Sequence, residues 1–542
     1  TAIKSPYKLN SAQVDAVELL EKELARKKPS PALLHGVTYS GKTEVYMRVM
    51  AETIKKGKQV LILVPEIAIT AQLVDRLKER FGEKAVGVWH SKISRGKKMK
   101  YMEFLNKGEM DILIGPRSAV FVPFKNMGTI IIEEEQDPGY KQDNAPPYDA
   151  RQVAEKRCEM TGALLILSSA TPRIETIYRA KRGDYKYAPL PRRVDKSEFP
   201  KIELVDMKRE YAEREKSGIL SGRIIEKLEE NLTSGRQVIL YINRRGYTSS
   251  VICSDCGHTL ECPVCNIPYA YHASKGRMEC HWCGRSRSVP QRCPRCPGDT
   301  YRFQGAGTQK VEDVLYKFYP EAKIGRMDTD TTSKVGSAEK IFKDFKDGKF
   351  DILIGTSLLT KGWDFSNVGL VGIINSDLGL MSPDFRAPEK IYLTLMQVAG
   401  RCGRSNYRGE VVVQTYNPNH YALKTVLSNK PNNFYNKELK VRRDSGFPPF
   451  KDIVAITVSS GSPAKADRYI KVCKKFILER DPGIDILGPA PAAKYKVRGK
   501  FRKCLLLKVD SKNSNIKDIL KDMTVKNSKL NIAVDVDPQT MP

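Results

Sequence analysis

The pentapeptide Asp-Ile-Leu-Ile-Gly occurs twice in this chain, at Asp111–Gly115 and at Asp351–Gly355. In each copy a glycine precedes the aspartate with two residues between, and a polar, Ser/Thr-bearing loop follows. Both copies belong to a larger set of short apolar runs. From Pro31 to about Leu190 these are PALLHG, QVLILVP, MDILIG, TIIIEEE and ALLILSS. Amphipathic stretches such as TAQLVDRLKERFG, with apolar residues at three- and four-residue spacing, lie between them. The pattern resumes from about Arg236 with QVILYI, KFDILIG, VGLVGII and GEVVVQTY. Strands that are continuously apolar and separated by helices build parallel sheets covered on both faces. The sequence therefore predicts an α/β protein with two similar lobes, and the doubled pentapeptide is one strand type used in both.

The first lobe carries GVTYSGKT, Gly36–Thr43, which fits G-x-x-x-x-G-K-[ST] between a strand and a helix. Backbone N–H groups of such a loop curl around phosphates, and the helix N-terminus favours the anion. Gly36, Thr38, Ser40, Gly41, Lys42, Thr43 and Glu44 are the candidate ATP contacts, with Lys42 on the β/γ-phosphates and the Thr43 hydroxyl on Mg²⁺. Acids are also needed at a nearby strand end, and TIIIEEEQD supplies them: Glu133 as a metal-side carboxylate and Glu134 as the acceptor of a proton from the attacking water. In the second lobe QVAGRCGR, with Gln397, places Arg401 and Arg404 three apart, which predicts one face of a short helix. Arginine forks bind phosphate bidentately, so closure of the lobes would bring both to a nucleotide held by Lys42. Thr356 and Ser357, after the second DILIG, are candidate DNA-backbone contacts.

Eight of the twelve cysteines crowd into residues 253–296 as four C-x-x-C knuckles. Two knuckles complete a tetrahedral Cys₄ zinc site, so the block predicts two structural Zn²⁺. Four knuckles can pair three ways. Nesting is the most compact: Cys253, Cys256, Cys293 and Cys296 on one ion, Cys262, Cys265, Cys280 and Cys283 on the other. His258, His272 and His281 are surplus to that count. Clustered knuckles in a large chain of this kind indicate a reducing compartment, not a disulfide scaffold.

At 542 residues the chain exceeds one core and predicts three to five units. Its 92 basic residues outnumber 63 acidic ones, and the formal charge of +29 is spread along the whole length, which favours nucleic acid over a membrane surface. No run of about 18 apolar residues is present, so no membrane partner is expected. The N-terminus resembles no signal peptide, and the missing initiator Met suggests that a segment precedes it.

Together these motifs resemble the PriA (primosomal protein N′) family of superfamily 2 helicases. LNSAQ, LVPEIAIT, HSKIS, GPRSAVFVPF, SSATP, NRRGY, GTSLLTKGWDF, QVAGRCGR, SPDFRAPE, LGPAPA and DVDP follow in family order. The resemblance implies two RecA-like P-loop lobes with parallel sheets, a double-zinc Cys₈ insertion in the second lobe and a small α/β C-terminal domain. The corresponding divisions are 1–192 for the ATP-binding lobe, 193–235 for the link and start of lobe two, 236–252 and 301–440 for lobe two, 253–300 for the zinc insertion and 441–542 for the last domain. It further implies ATP-driven 3′-to-5′ translocation on DNA, action at stalled replication forks, and primosome assembly in the bacterial cytoplasm near the nucleoid. Single-stranded and forked DNA, single-stranded-DNA-binding protein and helicase-loading proteins are the implied partners. Gln13 in LNSAQ becomes an adenine contact, and Tyr140, Lys141, Tyr148 and Arg151 become an aromatic-rich loop coupling DNA to hydrolysis, with base stacking as the physical role of tyrosine.

Three departures stand out. The acidic motif reads Glu133-Glu134-Glu135-Gln136 where the family has D-E-E-H, and Tyr39 replaces a usual glycine. The family's N-terminal DNA-binding domains have no counterpart here. A DNA- and partner-binding scaffold with a weakened motor, or another superfamily 2 translocase, is the alternative reading.

Overall fold

The computed structural model describes residues 7–539 except 66–69, 145, 196–197, 214–218, 243–250, 254–257, 259, 265–267, 273–275, 281–282, 300, 304–307, 329–330, 333–335, 361–366, 383, 404–406, 429, 511–514 and 528–529. Two compact units result, one from residues 1–199 and one from the described residues of 200–542.

The first unit is built on a parallel sheet of strands β1 (Ala32–Gly36), β2 (Gln59–Leu63), β3 (Val86–Val88), β4 (Ile112–Gly115), β5 (Met127–Glu133), β6 (Leu164–Ser169) and β7 (Lys186–Leu190), in the order β3-β4-β2-β5-β6-β1-β7. β2 and β4 are buried at every residue, as strands covered on both faces must be. Helices α1 (Ser11–Leu24) and α2 (Lys42–Lys55) pack on this sheet through Leu20, Val45 and Val49.

In the second unit the parallel sheet contains β8 (Lys201–Asp206), β9 (Gln237–Tyr241), β10 (Ile324–Met327), β11 (Ile352–Gly355), β12 (Val368–Ile373) and β13 (Glu410–Thr415), ordered β8-β13-β12-β9-β11-β10. Read from its other edge, this is the order of the first sheet without β7. The likeness extends to single hydrogen bonds. Gln59, at the start of β2, donates from Nε2 to Leu105 O (2.9 Å) and Met110 O (2.8 Å). Gln237, at the start of β9, donates to Phe345 O (2.6 Å) and Phe350 O (2.8 Å). Both DILIG strands run into a 3₁₀ turn, Arg117–Phe121 and Ser357–Thr360. Their glycines are required for one reason. A Cβ on Gly115 would lie 2.8 Å from Trp89 O and 3.0 Å from Ala119 Cβ; one on Gly355 would lie 2.8 Å from Met327 O and 2.7 Å from Leu359.

The sequence pattern locates nine of these thirteen strands. Short β3, β7 and β10 and the edge strand β8 escape it, and β8 lies inside the 193–235 stretch expected to hold the link and the start of lobe two.

The last domain is a four-stranded antiparallel sheet of β14 (Asp452–Ser460), β15 (Asp485–Val497), β16 (Lys500–Val509) and β17 (Asn531–Val536), ordered β15-β16-β14-β17. Helices Pro463–Leu478 and Ile516–Lys526 contribute Ile470, Ile477 and Met523 to its core. LGPAPA, read from sequence as a turn, lies inside β15, whose register breaks between Leu487 and Ala490 and again between Pro491 and Lys496. β15 is an edge strand, where a missing proline N–H is tolerated. The Cys-rich segment packs on this domain: Leu260, Cys262, Tyr269 and Cys280 share an apolar cluster with Phe447, Ile453 and Leu506.

Candidate nucleotide site and cysteine clusters

β1 ends at Gly36, where a Cβ would sit 2.2 Å from Ser40 Oγ and 3.0 Å from Leu190 Cβ, so the chain can turn here only as glycine. The turn is completed by left-handed residues at Tyr39 (φ 67°) and Gly41 (φ 80°), after which α2 begins at Lys42. Tyr39 thus holds a backbone conformation that a bulky residue rarely adopts. Lys42 Nζ donates to Gly36 O at 2.9 Å and lies 3.4 Å from Val37 O, folded back over the loop. Gln13 is 4% exposed; its Nε2 donates to Ser40 O at 2.9 Å and its Oε1 accepts from Asn10 N. The Glu44 carboxylate pairs with Arg48 (2.9 Å) and Arg80 (2.7 Å), and its amide donates to Gly41 O.

β5 delivers the acids beside this loop. Burial, then the neighbouring Glu134 charge, pushes the Glu133 carboxyl up to about 7 against the opposing pull of Lys42. Glu133 Oε2, Ser40 Oγ and the Tyr46 hydroxyl are buried without hydrogen-bond partners among the described residues. A phosphate-bound divalent cation fits such a set: it supplies the missing partners and replaces the proton on a raised carboxyl. Glu134 sits in the left-handed region (φ 50°), its Oε2 accepting from Gln136 Nε2 at 2.6 Å. Gln136 Oε1 in turn accepts from Ser169 Oγ at 2.5 Å. One amide therefore joins the second acid of the motif to the hydroxyl ending β6, a bridge the sequence reading missed. The third acid, Glu135, is fully buried and accepts from Arg173 N (2.8 Å) and Thr176 Oγ1 (3.1 Å).

The loop after β5 is tied to the same strand end. Tyr140 is fully buried and its hydroxyl donates to Glu133 O (2.6 Å) and Leu63 O (2.9 Å), which corrects the base-stacking role for this tyrosine. Lys141 is also buried. Arg151 donates to Glu135 O at 2.7 Å and grips Asp149 through two nitrogens. Burial alone would raise the Asp149 carboxyl, but Arg151 outweighs it and holds the group down at about 2. Tyr148 is half-buried and meets the ring of Phe121 edge-on at 4.9 Å. Phe121, 57% exposed, is the aromatic here with a free face, and nothing in the local sequence separates it from a core phenylalanine.

In the second unit Thr356 is buried and Ser357 half-buried, both at the 3₁₀ turn after β11. Gln397 lies on the helix Ala387–Ala399. Arg401 does not lie on a helix. The helix runs thirteen residues and stops at Gly400; Arg401 follows in a turn, 8% exposed, and Gly403 is left-handed (φ 70°). Arg404 lies outside the described residues, as do Cys256 and Cys265.

The remaining six knuckle cysteines converge as Cys253, Cys293 and Cys296, and as Cys262, Cys280 and Cys283, with all sulfurs of a set within 4.8 Å of one another. This is the nested arrangement. Sulfur separations of 3.6 Å, for Cys253–Cys296 and Cys262–Cys283, are far too long for a disulfide. They match the spacing of about 3.8 Å that tetrahedral Zn–S bonds of about 2.3 Å require. His258 and His272 belong to neither set.

A P-loop sheet with acids at the neighbouring strand end, a second sheet repeating its order and a Cys-rich insertion define a two-lobed helicase. Family models agree: "DEAD/DEAH box helicase" matches residues 10–180 and "Helicase conserved C-terminal domain" 305–406. "PriA DNA helicase Cys-rich region (CRR) domain" matches 262–287 and "Primosomal protein N C-terminal domain" 443–539. The chain belongs to the replication restart protein PriA family. It is 40% identical over 99% of its length to the member from Bacillus subtilis, covering 67% of that protein, and 38% identical to the one from Chlamydia pneumoniae, covering 72%. RecG bound to a three-way DNA junction shares the fold at TM-score 0.50 and 18% identity, over 86% of this chain and 50% of that one.

Proposed function

We propose that the chain is an ATP-dependent DNA helicase of 3′-to-5′ polarity that acts at stalled or abandoned replication forks and initiates primosome assembly. The observation that carries this is the hydrogen-bonded line from Glu134 through Gln136 to Ser169 beside the Lys42 loop. Such a line lets the state of a nucleotide alter a strand end elsewhere in the lobe. Lys42 and Thr43 bind the phosphates and Mg²⁺, Gln13 reads the adenine, and Glu133 holds the metal while Glu134 orients and deprotonates water. When bound, Mg²⁺ neutralises charge on the transferring phosphate. Arg401 and Arg404, with Gln397, are assigned to the γ-phosphate when the lobes close.

Each cysteine set binds one structural Zn²⁺, with Cys256 and Cys265 as fourth ligands. Thr356 and Ser357 contact the DNA backbone; Tyr148 and Arg151 relay its presence to Glu135 and the acids, with Tyr140 and Lys141 as the buried support of that loop. Single-strand-binding and helicase-loading proteins are the proposed partners, in a bacterial cytoplasm at the nucleoid. Turnover of ATP measured with and without single-stranded DNA, with Lys42→Ala as blank, tests the motor. Stimulation by DNA and displacement only from 3′-tailed duplexes is the expected result. Background turnover indifferent to DNA would leave a scaffold.

A further inference from the structure

Tyr46 follows Thr43 by three residues on α2, so the two side chains share one face of the helix. Its ring is 0% exposed, and its hydroxyl is buried without a hydrogen-bond partner among the described residues. Of the surrounding charges Glu133 acts most strongly on that hydroxyl. The Thr43 hydroxyl lies beside it without meeting hydrogen-bond geometry. Burying an O–H with no acceptor carries a cost that phenylalanine, of the same shape, avoids. Two further polar atoms of the same loop and strand end, Ser40 Oγ and Glu133 Oε2, are unpartnered as well. These three atoms leave hydrogen-bonding capacity unused at the P-loop, the helix that follows it and the end of β5.

We infer that Tyr46 is a positioning residue of the Mg²⁺–nucleotide site, its O–H donating to the Glu133 carboxylate once a cation is held there. The inference rests on the assignment of Lys42, Thr43 and Glu133 to that site. It also gives a reason for the pairing of a glutamate with a buried tyrosine. Glutamate reaches one methylene further than aspartate and has one more torsion to restrain, and a fixed donor restrains it.

The test is Tyr46→Phe in the full chain, read by binding of a fluorescent ADP analogue titrated with Mg²⁺, and by thermal unfolding without nucleotide. Loss of one positioning hydrogen bond raises the Mg²⁺ midpoint by about 3–10-fold. Binding without Mg²⁺ stays at the wild-type level, and the melting temperature is equal to or above wild type because an unpaired hydroxyl has been removed. In a Glu133→Asp background, where the acid reaches one methylene less, Tyr46→Phe is expected to have no further effect on the midpoint. An unchanged midpoint in the Glu133 chain, or a loss of affinity equal with and without Mg²⁺, overturns the inference. If the wild-type chain itself shows no Mg²⁺-dependent nucleotide binding, the site assignment fails and the inference with it; wild-type binding beside an unaffected Tyr46→Phe removes the inference alone.

Discussion

At the scale of single residues, the acidic motif shows how one side chain decides what its neighbours can do. Gln136 cannot become a cation, but its amide has a donor for Glu134 and an acceptor for Ser169, and uses both. Gln136→Leu removes both bonds without emptying the site. DNA-stimulated ATP turnover is expected to fall at least about tenfold while the KM for ATP changes little, because the lost contacts act on chemistry rather than on binding. Glu133 makes a second prediction. Its carboxyl, raised to about 7 by burial and Glu134, binds a proton more tightly in the folded chain than in the unfolded one. The folded state then gains most below the ordinary carboxyl range, and loses that gain as pH rises from about 4.5 to about 7, by at most about 3 kcal/mol. Denaturant melts of the nucleotide-free chain across this window should show a steeper decline for wild type than for Glu133→Gln, and Mg²⁺–nucleotide should flatten the wild-type curve. Identical slopes would mean that Glu133 is already ionised at low pH.

The informative element is the Cys-rich segment. Its two clusters differ in surroundings: Cys262 and Cys280 share an apolar cluster with Phe447, Ile453 and Leu506 of the last domain, and Gly284 approaches so closely that a Cβ would lie 2.9 Å from Pro489 O. Cys253 and Cys293 lie outside that cluster. Cys280→Ser is expected to reduce bound zinc from two ions to one and to expose the β14–β16 sheet to hydrogen exchange. Cys293→Ser should remove the other ion with little effect on that sheet. Equal exchange in both variants would show that the clusters do not support the domain separately. The strand-and-turn repeated in both lobes carries a related lesson. Gln59 and Gln237 each satisfy two carbonyls flanking the turn before a DILIG strand, and GKQV at Gly57–Val60 against GRQV at Gly235–Val238 is the sequence trace of it. That similarity was as readable as the pentapeptide, but conservative changes around it hide it from a search for identical runs.

For the whole molecule, charge and connectivity set the behaviour. A surplus of 29 positive charges makes DNA binding strongly salt-dependent, since each neutralised phosphate releases counterions. About six contacts to a single strand give a loss of roughly 10²–10³-fold in affinity between 50 and 200 mM salt. A flat salt response would place recognition on bases instead. Within the second unit, Arg442 is 1% exposed and pairs with Glu438 on its own helix and with Glu389 on the helix Ala387–Ala399. That buried contact joins lobe two to the segment leading into the last domain. What the sequence determined by itself is whatever is local or periodic: apolar runs that can only be buried strands, a glycine loop between strand and helix, knuckles spaced for a metal. Contacts between residues far apart in the chain were decided by tertiary structure. Glu44 pairs with Arg80, Tyr140 is buried with its hydroxyl on Glu133 O, and the Tyr46 hydroxyl lies in the field of Glu133. The order of strands in the sheet, which no short window encodes, sets which side chains become neighbours.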